Sequence, residues 1–386
     1  MTDLLVVAGE ASGDRAGAAV IAALGSEAHD VVGMGGPALA SAGVTLVSDL
    51  RRTTALGLGE VARRAWGIAV ARSRVLRAAT PEVRAALLVN YSEFNAGLAP
   101  VLHARGIRVL WYGAPQVWAW RAARTKTLRP SVDRMAVMLP FEEPLWRAEG
   151  VDAEYVGHPA MEATLRDRES AKSVLGLTPR AKAVAILPGS RPHEVRSLLR
   201  PMLEGYERLR RDRASIDGRV LLAASLDDRT REHAIRECKE MHVDVHDVDA
   251  RAGASVVLRA FDVALCASGT ASLEATLARA IPVVAYRVGW VTELAARTLL
   301  QTPYIALPNV LLGRRAFAEL LQRDVHPKRI ATELARALDS RERLVKACDD
   351  VEAALGTRRS PSKEVARLLL PWLRDERRAR TPPARP

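Results

Sequence analysis

Short, uninterrupted apolar segments recur along this chain and alternate with stretches of helical periodicity. Segments that are apolar on both faces are typical of parallel strands covered by helices on each side of the sheet. The chain is therefore expected to be α/β, built from doubly wound parallel sheets. The segments expected to be strands are Leu4–Ala8, Val31–Gly36, Ala85–Val89, Arg108–Tyr112, Arg134–Leu139, Ala183–Leu187, Arg219–Ala224, Val243–His246, Val263–Cys266 and Ile281–Tyr286.

The alternation pauses around Val156–Pro159 and then restarts, which indicates two successive domains. A chain of 386 residues is also long for a single hydrophobic core. We expect an N-terminal domain over residues 1–165 and a C-terminal domain over residues 166–344. A helix at approximately 345–374 is expected to pack back on the first domain, and the charged, proline-rich residues 375–386 are expected to be disordered.

The formal net charge of +12 indicates an anionic partner: nucleic acid, a phosphorylated ligand or an anionic membrane. Nucleic acid is the least favoured, because the chain lacks aromatic residues interleaved on a basic strand, and no nucleic-acid partner is expected. The three cysteines have no CxxC spacing, so neither a disulfide framework nor a zinc site is expected. No apolar stretch approaches the roughly 20 residues of a membrane span. We expect no metal, no cofactor, a reducing compartment, and a protein that is soluble or bound to a membrane surface.

Two strand ends in the second half lead into small, glycine-containing turns. Backbone N–H groups at such turns suit a phosphate, and an arginine adds a bidentate cation. A glutamate one turn into the second helix can accept hydrogen bonds from ribose hydroxyls. The pattern predicts a diphosphate-sugar nucleotide at the carboxyl edge of a parallel sheet, although Arg191 could instead form a salt bridge with Glu194. The residues expected to bind it are Gly189, Ser190, Arg191, Ser268, Gly269, Thr270 and Glu274.

Three strand ends in the first half carry polar side chains. A carboxylate such as Glu93 can act as a general base on a hydroxyl, whereas two tryptophans with a glutamine and an arginine suit an apolar ligand with a polar head. The alternatives are structural: a helix start near Asp14, a first-turn carboxylate at Glu93, and core tryptophans that anchor a loop. The candidate residues are Glu10, Ser12 and Asp14; Asn90, Glu93 and Asn95; and Gln116, Trp118 and Arg121.

Two further segments allow both a functional and a structural interpretation. Residues 58–79 have helical periodicity, with Trp66 and several arginines, which is the composition of an interfacial membrane helix. The pattern alone favours an ordinary amphipathic helix that covers the sheet. Residues 306–311 are expected to be extended, and Asn309 could bond a base, ribose or phosphate or could be a turn asparagine after a proline.

Eight motifs follow one another along the chain: Gly9–Asp14, Val117–Arg121, Leu139–Glu142, Val156–Pro159, Leu187–Arg191, Ala267–Thr270, Val284–Arg287 and Leu307–Asn309. In this order they resemble the motifs of the lipid-A-disaccharide synthase family over roughly Leu4 to Pro327. The resemblance implies a GT-B glycosyltransferase with two Rossmann-like domains facing across a cleft. It also implies transfer of 2,3-diacylglucosamine from its UDP derivative to 2,3-diacylglucosamine 1-phosphate, with inversion, release of UDP and no need for a metal.

On this resemblance the UDP-diacylglucosamine donor would be bound by Arg191, Ser268, Gly269, Thr270, Glu274 and Asn309. The phosphorylated diacylglucosamine acceptor would lie on the side of the first domain. Because both substrates are lipids, the resemblance favours a membrane contact through residues 58–79, at the cytoplasmic face of the inner membrane. A homodimer that exchanges C-terminal elements is a further implication.

One loop departs from the family pattern. Family members usually carry Ile-Asp-x-Pro-Asp-Phe-Asn after the strand that corresponds to Ala85–Val89. Here Asn90 replaces the first aspartate, Ser92 the proline, and Glu93 the second aspartate, which is the proposed base. A displacement of about 1 Å at a reacting group can cost on the order of a hundredfold in rate. A related enzyme with another lipid or sugar acceptor, or a degenerate UDP-sugar or lipid-binding protein, therefore stays open as an alternative.

Overall fold

The computed structural model describes residues 3–49, 60–119, 124–213, 215–287, 302–357 and 359–374. These residues form two compact units. The first unit holds the described residues up to Glu162 together with those from Arg359 onward, and the second unit holds those from Ala163 to Thr357. Each unit is built around one fully parallel sheet.

The first unit has a seven-stranded sheet in the order β3-β2-β1-β4-β5-β6-β7. Its strands are β1 Leu4–Ala8, β2 Val32–Gly35, β3 Thr45–Asp49, β4 Ala85–Val89, β5 Arg108–Tyr112, β6 Arg134–Val137 and β7 Ala153–Tyr155. Its helices are α1 Ala11–Leu24, α2 Pro37–Ser41, α3 Glu60–Ala78, α4 Ser92–Ala104, α5 Arg124–Leu128, α6 Glu142–Ala148 and, at the far end of the sequence, α15 Pro361–Arg374.

Strands β1 and β4 lie at the centre of this sheet, and all their residues are buried. They pair in register from Leu4 opposite Ala85 to Ala8 opposite Val89. Alternate side chains enter two separate hydrophobic clusters, with Leu5 in one cluster and Leu4 in the other. Because both faces are covered by apolar side chains, the strands are continuously hydrophobic rather than alternating.

The second unit has a six-stranded sheet in the order β10-β9-β8-β11-β12-β13. Its strands are β8 Lys182–Leu187, β9 Ile216–Leu222, β10 Val245–Asp247, β11 Val263–Ala267, β12 Ile281–Tyr286 and β13 Ala318–Leu321. Its helices are α7 Arg168–Val174, α8 Pro192–Asp212, α9 Asp228–Glu240, α10 Ser255–Leu258, α11 Thr270–Leu277, α12 Leu307–Leu312, α13 Pro327–Asp339 and α14 Arg341–Leu355. The predicted class of doubly wound parallel sheets is confirmed in both units.

Three strands were missed by the sequence analysis: β3, β7 and β13. Each is the outermost strand at one edge of its sheet. Each is also short or only partly buried, so its sequence lacks a continuous apolar run. The prediction of an extended segment at 306–311 is wrong, because α12 begins at Leu307. Pro308 lies in the first turn of α12, where a proline is favoured, since the N–H that it lacks has no intrahelical partner there.

The single helix expected near 345–374 is two helices. Helix α14 ends at Leu355, where Gly356 adopts a positive φ of 78° that terminates the helix. Helix α15 then packs on α1 in the first unit, and Leu369 is fully buried there. The expected tail at 375–386 lies outside the described residues. None of the helices in the described part of the chain is both long and apolar enough to cross a membrane.

Candidate active site

The loop after β4 is held in an unusual backbone conformation at the carboxyl edge of the first sheet. Asn90 and Tyr91 both have positive φ angles, 50° and 44°, which are rare for residues other than glycine. The Asn90 N–H donates to the Tyr112 carbonyl on the neighbouring strand at 2.8 Å. Its side chain lies against Gly113, where an added Cβ would overlap the Asn90 Oδ1 atom. Paired strained residues of this kind cluster at functional sites.

The Tyr91 ring connects this loop to the turn after β1. A Cβ placed on Gly9 would overlap the Tyr91 ring, so only glycine fits at position 9 without a shift. On its other side the ring stacks on Phe94, with ring centroids 5.1 Å apart and an interplanar angle of 21°. The two turns are therefore packed into one rigid arrangement at the edge of the sheet.

The three candidate catalytic residues lie close together in the chain but differ in exposure. Glu93 is exposed in the first turn of α4, whereas Asn95 is fully buried. The Asn95 Nδ2 group donates to the Asn90 carbonyl at 2.8 Å, so Asn95 holds the strained turn. The Asn95 Oδ1 atom is buried without a hydrogen-bond partner among the described residues, which is uncommon away from functional sites. A carboxylate at an exposed helix start can accept a proton from a bound hydroxyl.

The structure corrects the interpretation of the turn after β1. Asp14 was expected to line a ligand pocket, but it is only 3% exposed. Its two carboxylate oxygens accept three hydrogen bonds, from the N–H groups of Gly36 (2.7 Å), Ala38 (2.9 Å) and Leu39 (3.2 Å). Asp14 therefore caps α2 rather than facing a ligand. Glu10 and Ser12, at the start of α1, are partly exposed.

The loop after β5 carries the remaining acceptor-side candidates. Gln116 is exposed, Trp118 is half-buried, and Arg121 lies outside the described residues. The Trp118 Nε1–H group donates to the Glu142 Oε1 atom at 2.9 Å, and the Trp118 ring meets Phe141 edge to face at 5.2 Å. The loop after β5 is thus bound to the segment after β6.

Glu142 is a buried carboxyl group in the Leu139–Glu142 motif, and the sequence predicted no role for it. It is 2% exposed, and its Oε2 atom accepts from the Leu139 N–H at 3.1 Å. Burial raises the pKa of Glu142 to about 7, while the Trp118 indole and the backbone N–H groups of Leu139 and Met138 oppose that rise. The acidic position after Leu-Pro-Phe is the signal that could have drawn attention to it.

In the second unit, the turn after β8 is already occupied by a side chain of the protein. The Glu194 Oε2 atom accepts from the N–H groups of Ser190 (3.0 Å) and Arg191 (3.2 Å) in a capping box at the start of α8. Gly189 has a positive φ of 117°, and an added Cβ there would overlap Glu194. The backbone donors expected to hold a phosphate are therefore satisfied internally. The exposed Arg191 guanidinium lies 3.7 Å from the Glu194 carboxylate, which is the alternative considered from sequence.

The turn after β11 is different, because the start of α11 carries no side-chain cap. Gly269 is the N-cap residue with φ 136°, a conformation that favours glycine, and a Cβ there would meet no atom of the described residues within 4 Å. Thr270 is partly exposed, and the Ser268 hydroxyl donates to the Ile305 carbonyl at 3.1 Å. Glu274 lies one turn into α11 and is buried. An open helix start with free space around it suits an anion.

Asn309 is saturated with internal hydrogen bonds in this structure. It is fully buried, its Nδ2 group donates to the Phe317 carbonyl (3.0 Å) and to Glu319 (2.9 Å), and its Oδ1 atom accepts from the N–H groups of Ala316 and Phe317 at 2.9 Å each. These four bonds use the full capacity of its amide. The expectation that Asn309 binds UDP therefore has no free donor or acceptor to rest on. Sequence analysis missed Glu319, whose signal is an acidic residue inside a strand.

Helix α3 presents a mixed apolar and basic surface. Trp66 is 72% exposed, which is unusual for the largest apolar side chain. Next to it lies a groove of about 540 Å³ lined by Ile68, Ala69, Arg72, Ser73, Leu76, Arg77 and Arg105. Residues 58–59 of the predicted segment lie outside the described residues.

Comparison with known proteins identifies relatives along almost the whole chain. A family model described as "Lipid-A-disaccharide synthetase" matches residues 4–369. A lipid-A-disaccharide synthase from Myxococcus xanthus is 41% identical over 340 residues, covering 86% of this chain and 87% of that protein. Another from Anaeromyxobacter dehalogenans is 38% identical over 377 residues, covering 96% and 97%. A third, from Pseudomonas aeruginosa, is 34% identical over 373 residues.

Solved structures show likeness at much lower identity. A UDP-N-acetylglucosamine 2-epimerase from Neisseria meningitidis, bound to UDP-N-acetylglucosamine, has a TM-score of 0.66 at 12% identity, with 96% of this chain and 100% of that chain covered. A spinosyn rhamnosyltransferase complexed with thymidine diphosphate has a TM-score of 0.58 at 14% identity, with 95% and 100% covered. These likenesses show the fold alone, two parallel-sheet α/β domains of the GT-B kind. The family match extends over the motifs described above, and the chain belongs to the lipid-A-disaccharide synthase family of glycosyltransferases.

Proposed function

We propose that this protein transfers 2,3-diacylglucosamine from UDP-2,3-diacylglucosamine to 2,3-diacylglucosamine 1-phosphate. The products are the lipid A disaccharide phosphate, joined by a β-1,6 bond, and UDP. The observation that carries this proposal is the family match over residues 4–369, which includes both sheets and their carboxyl-edge loops. The departures at Asn90 and Glu93 leave a carboxylate in the proposed base position.

The proposed reaction needs a base for the acceptor hydroxyl. In our proposal the Glu93 carboxylate takes that proton as the hydroxyl oxygen attacks the anomeric carbon of the donor, with inversion. Exposure of Glu93 in the first turn of α4 supports this role. The strained Asn90–Tyr91 turn, held by Asn95, would fix where the start of α4 points.

Release of UDP needs groups that stabilise its negative charge. We propose that the diphosphate binds the uncapped start of α11, at Ser268, Gly269 and Thr270, together with the exposed Arg191 guanidinium. The N–H groups of Ser190 and Arg191 play a smaller part in this proposal than sequence suggested, because Glu194 occupies them. Contact between Glu274 and the ribose hydroxyls stays a prediction.

Diacylated substrates have to be reached at a lipid surface. We propose that α3 rests on the membrane, with Trp66 among the acyl chains and the Arg72 and Arg77 side chains near anionic headgroups. The exposure of Trp66 and the basic groove beside it support this orientation. In this proposal the protein binds peripherally at the cytoplasmic face of the inner membrane, and it acts as a homodimer.

The deciding experiment measures UDP release from the two diacylated substrates by wild type, Glu93→Gln and Arg191→Ala. Loss of the base should lower kcat by on the order of a hundredfold or more in Glu93→Gln, with the affinity for UDP measured by calorimetry unchanged. Arg191→Ala should instead weaken UDP binding by on the order of tenfold, because a charge-assisted bond to the diphosphate is lost.

Arg196→Ala is the matched control for Arg191→Ala, since Arg196 is an exposed arginine one turn along α8. Wild-type rates in both Glu93→Gln and Arg191→Ala would contradict the proposed mechanism. A wild-type enzyme that releases UDP only with some other acceptor would contradict the proposed reaction.

A further inference from the structure

We propose that Glu142 is a positioning residue for the acceptor, acting through the indole of Trp118, and this inference rests on the function proposed above. Glu142 touches neither substrate in this proposal. It fixes the side chain of Trp118, which lies on the loop after β5 beside the strained turn that carries the candidate base. In this role Glu142, and with it the Leu139–Glu142 motif, would hold Trp118 in place, whereas the proposed reaction alone assigns the motif no function.

The first observation is that one carboxylate joins two loops at the edge of the sheet. Its Oε1 atom accepts from the Trp118 indole at 2.9 Å, and its Oε2 atom accepts from the Leu139 N–H at 3.1 Å. The two bonded residues lie in different connections, after β5 and after β6. Phe141 meets the Trp118 ring edge to face at 5.2 Å, so the indole is held both by a polar contact and by an aromatic contact.

The second observation is that Gly113, at the start of the loop after β5, lies against the Asn90 side chain. The loop after β5 begins at Gly113, whose N–H donates to the Ala136 carbonyl at 2.9 Å. A Cβ at Gly113 would overlap Asn90 on one side and would lie 2.8 Å from the Met138 methyl on the other. Gly113 is therefore packed against the Asn90 side chain, and Met138, on the connection after β6, lies close to Gly113.

The third observation is that Glu142 is costly to bury. Among the described residues its hydrogen-bond donors are all neutral, and a buried carboxylate whose donors are all neutral is unfavourable in the interior. The charged groups on its own helix, Glu143 and Arg147, pair with each other at 3.0 Å. On β7, burial raises the pKa of Tyr155 to about 12; the Arg359 charge opposes this rise and the Glu142 charge adds to it, so the phenol is neutral. A buried carboxyl group of this kind, close to a candidate site, is a candidate for a functional role.

The contact requires a carboxylate rather than an amide. A carboxylate offers two acceptor oxygens, and both are used here. Glutamine has one acceptor oxygen and one NH₂ donor, so in Glu142→Gln one of the two N–H donors would face another donor. The variant should keep the shape of the side chain and lose one of the two links between the loops.

The experiment compares wild type, Glu142→Gln, Trp118→Phe and the double variant. Steady-state UDP release gives kcat and the KM of each substrate, and 5-fluorotryptophan labelling gives a ¹⁹F resonance for Trp118, assigned by its loss in Trp118→Phe. We expect Glu142→Gln and Trp118→Phe each to raise the acceptor KM by on the order of tenfold, with the donor KM within about twofold of wild type. The double variant should be no worse than the single variants, because both remove the same contact.

Two readouts separate positioning from a general structural role. The Trp118 resonance should shift in Glu142→Gln without any substrate present, and in wild type it should titrate with a midpoint near the Glu142 pKa of about 7. The matched control is Glu143→Gln, the same change one residue along α6, which should leave both the resonance and the acceptor KM unchanged.

An unchanged Trp118 resonance in Glu142→Gln, or equal rises in the donor and acceptor KM values, would overturn the inference. A wild-type protein that turns over no diacylated pair would reject the proposed reaction instead. In that case the substrate-free ¹⁹F titration would still decide whether Glu142 fixes Trp118.

Discussion

Strain and close packing are concentrated in a few residues around Tyr91. Asn90 and Tyr91 adopt conformations that cost on the order of 1 kcal/mol each for residues with a Cβ. Tyr91 fits only because Gly9 leaves room for its ring, and Phe94 supports the ring from the other side. The packing of Tyr91 therefore helps to fix the start of α4, which carries the exposed Glu93 carboxylate.

The Gly9→Ala variant tests this packing. Its methyl group would overlap the Tyr91 ring, and we expect the free energy of unfolding to fall by about 1–3 kcal/mol, with reduced UDP release because the loop shifts. The additional substitution Tyr91→Gly removes the ring, and a glycine at position 91 adopts the positive φ without strain. The double variant should therefore recover most of the stability. Urea denaturation of the four proteins of this cycle measures the coupling. A loss of stability in the double variant equal to the sum of the two single-variant losses would show that Gly9 and Tyr91 do not pack against each other.

At the scale of elements, the two helix starts expected to bind a phosphate differ in how they are capped. The start of α8 is closed by the Glu194 carboxylate, which accepts from the Ser190 and Arg191 N–H groups. In the part of the chain that the structure describes, the start of α11 has no side-chain cap, and no atom comes near the space beside Gly269. Backbone donors that already have an anionic partner have little to offer a second anion, so α11 is the better anion site.

A charge placed at the start of α11 separates helix stability from ligand binding. In Thr270→Glu the carboxylate should favour the helix dipole and keep or raise Tm, while it repels the diphosphate. We expect the affinity for UDP to fall by at least about tenfold, equivalent to about 1.4 kcal/mol. The matched control is Thr270→Gln, which has the same shape without the charge and should bind UDP much more tightly than Thr270→Glu. Equal affinities in calorimetry would place the diphosphate elsewhere.

At the scale of the whole molecule, the first unit is completed by a helix from the far end of the sequence. Helix α15 packs on α1, and the Glu162 carboxylate accepts from the Ser360 hydroxyl at 2.5 Å and from the Ser362 hydroxyl at 2.7 Å. All the tryptophans among the described residues belong to this unit, so their fluorescence reports on it. They are Trp66, Trp111, Trp118, Trp146 and Trp372.

Two buried groups of the first unit give its stability opposite dependences on pH. Burial raises the pKa of Glu142 from 4.5 to about 7. Its contribution to the free energy of unfolding is therefore present below pH 4.5 and is lost as pH rises through 7. Burial lowers the pKa of His158 from 6.5 to about 4, so its contribution is present above pH 6.5 and is lost as pH falls. Between pH 4.5 and 6.5 the two slopes, each about 1.4 kcal/mol per pH unit, oppose each other.

In Glu142→Gln, the pH dependence of stability that comes from His158 should therefore no longer be opposed by Glu142. Relative to wild type, its free energy of unfolding should fall by roughly 2–3 kcal/mol between pH 6.5 and pH 4.5. Urea denaturation followed by tryptophan fluorescence at several pH values measures the difference. His158→Gln should give a difference of the opposite sign over the same range. Parallel pH profiles for wild type and Glu142→Gln would mean that Glu142 titrates with an ordinary pKa in the folded protein.

Local patterns in the sequence were sufficient wherever a segment is buried on both faces. Strands β1, β4, β5 and β12 have the bounds expected from their apolar runs, because a parallel strand covered on both faces is apolar along nearly its whole length. Edge strands such as β13 were missed, since Glu319 interrupts the apolar pattern and its partners at Ile305, Ala306 and Asn309 cannot be known from spacing.

The sequence by itself determined the class of fold, the family and the segments where polar side chains follow the strands. Only the tertiary structure decided which of those side chains are free to meet a ligand. Asp14 accepts hydrogen bonds from backbone groups at the start of α2, and Asn309 is saturated by backbone groups and the Glu319 side chain. The first turn of α8 is closed by Glu194, whereas the start of α11 has no side-chain cap among the described residues. The physical reason is that apolar periodicity is a local property, whereas each polar group is satisfied by whichever partner the fold brings next to it.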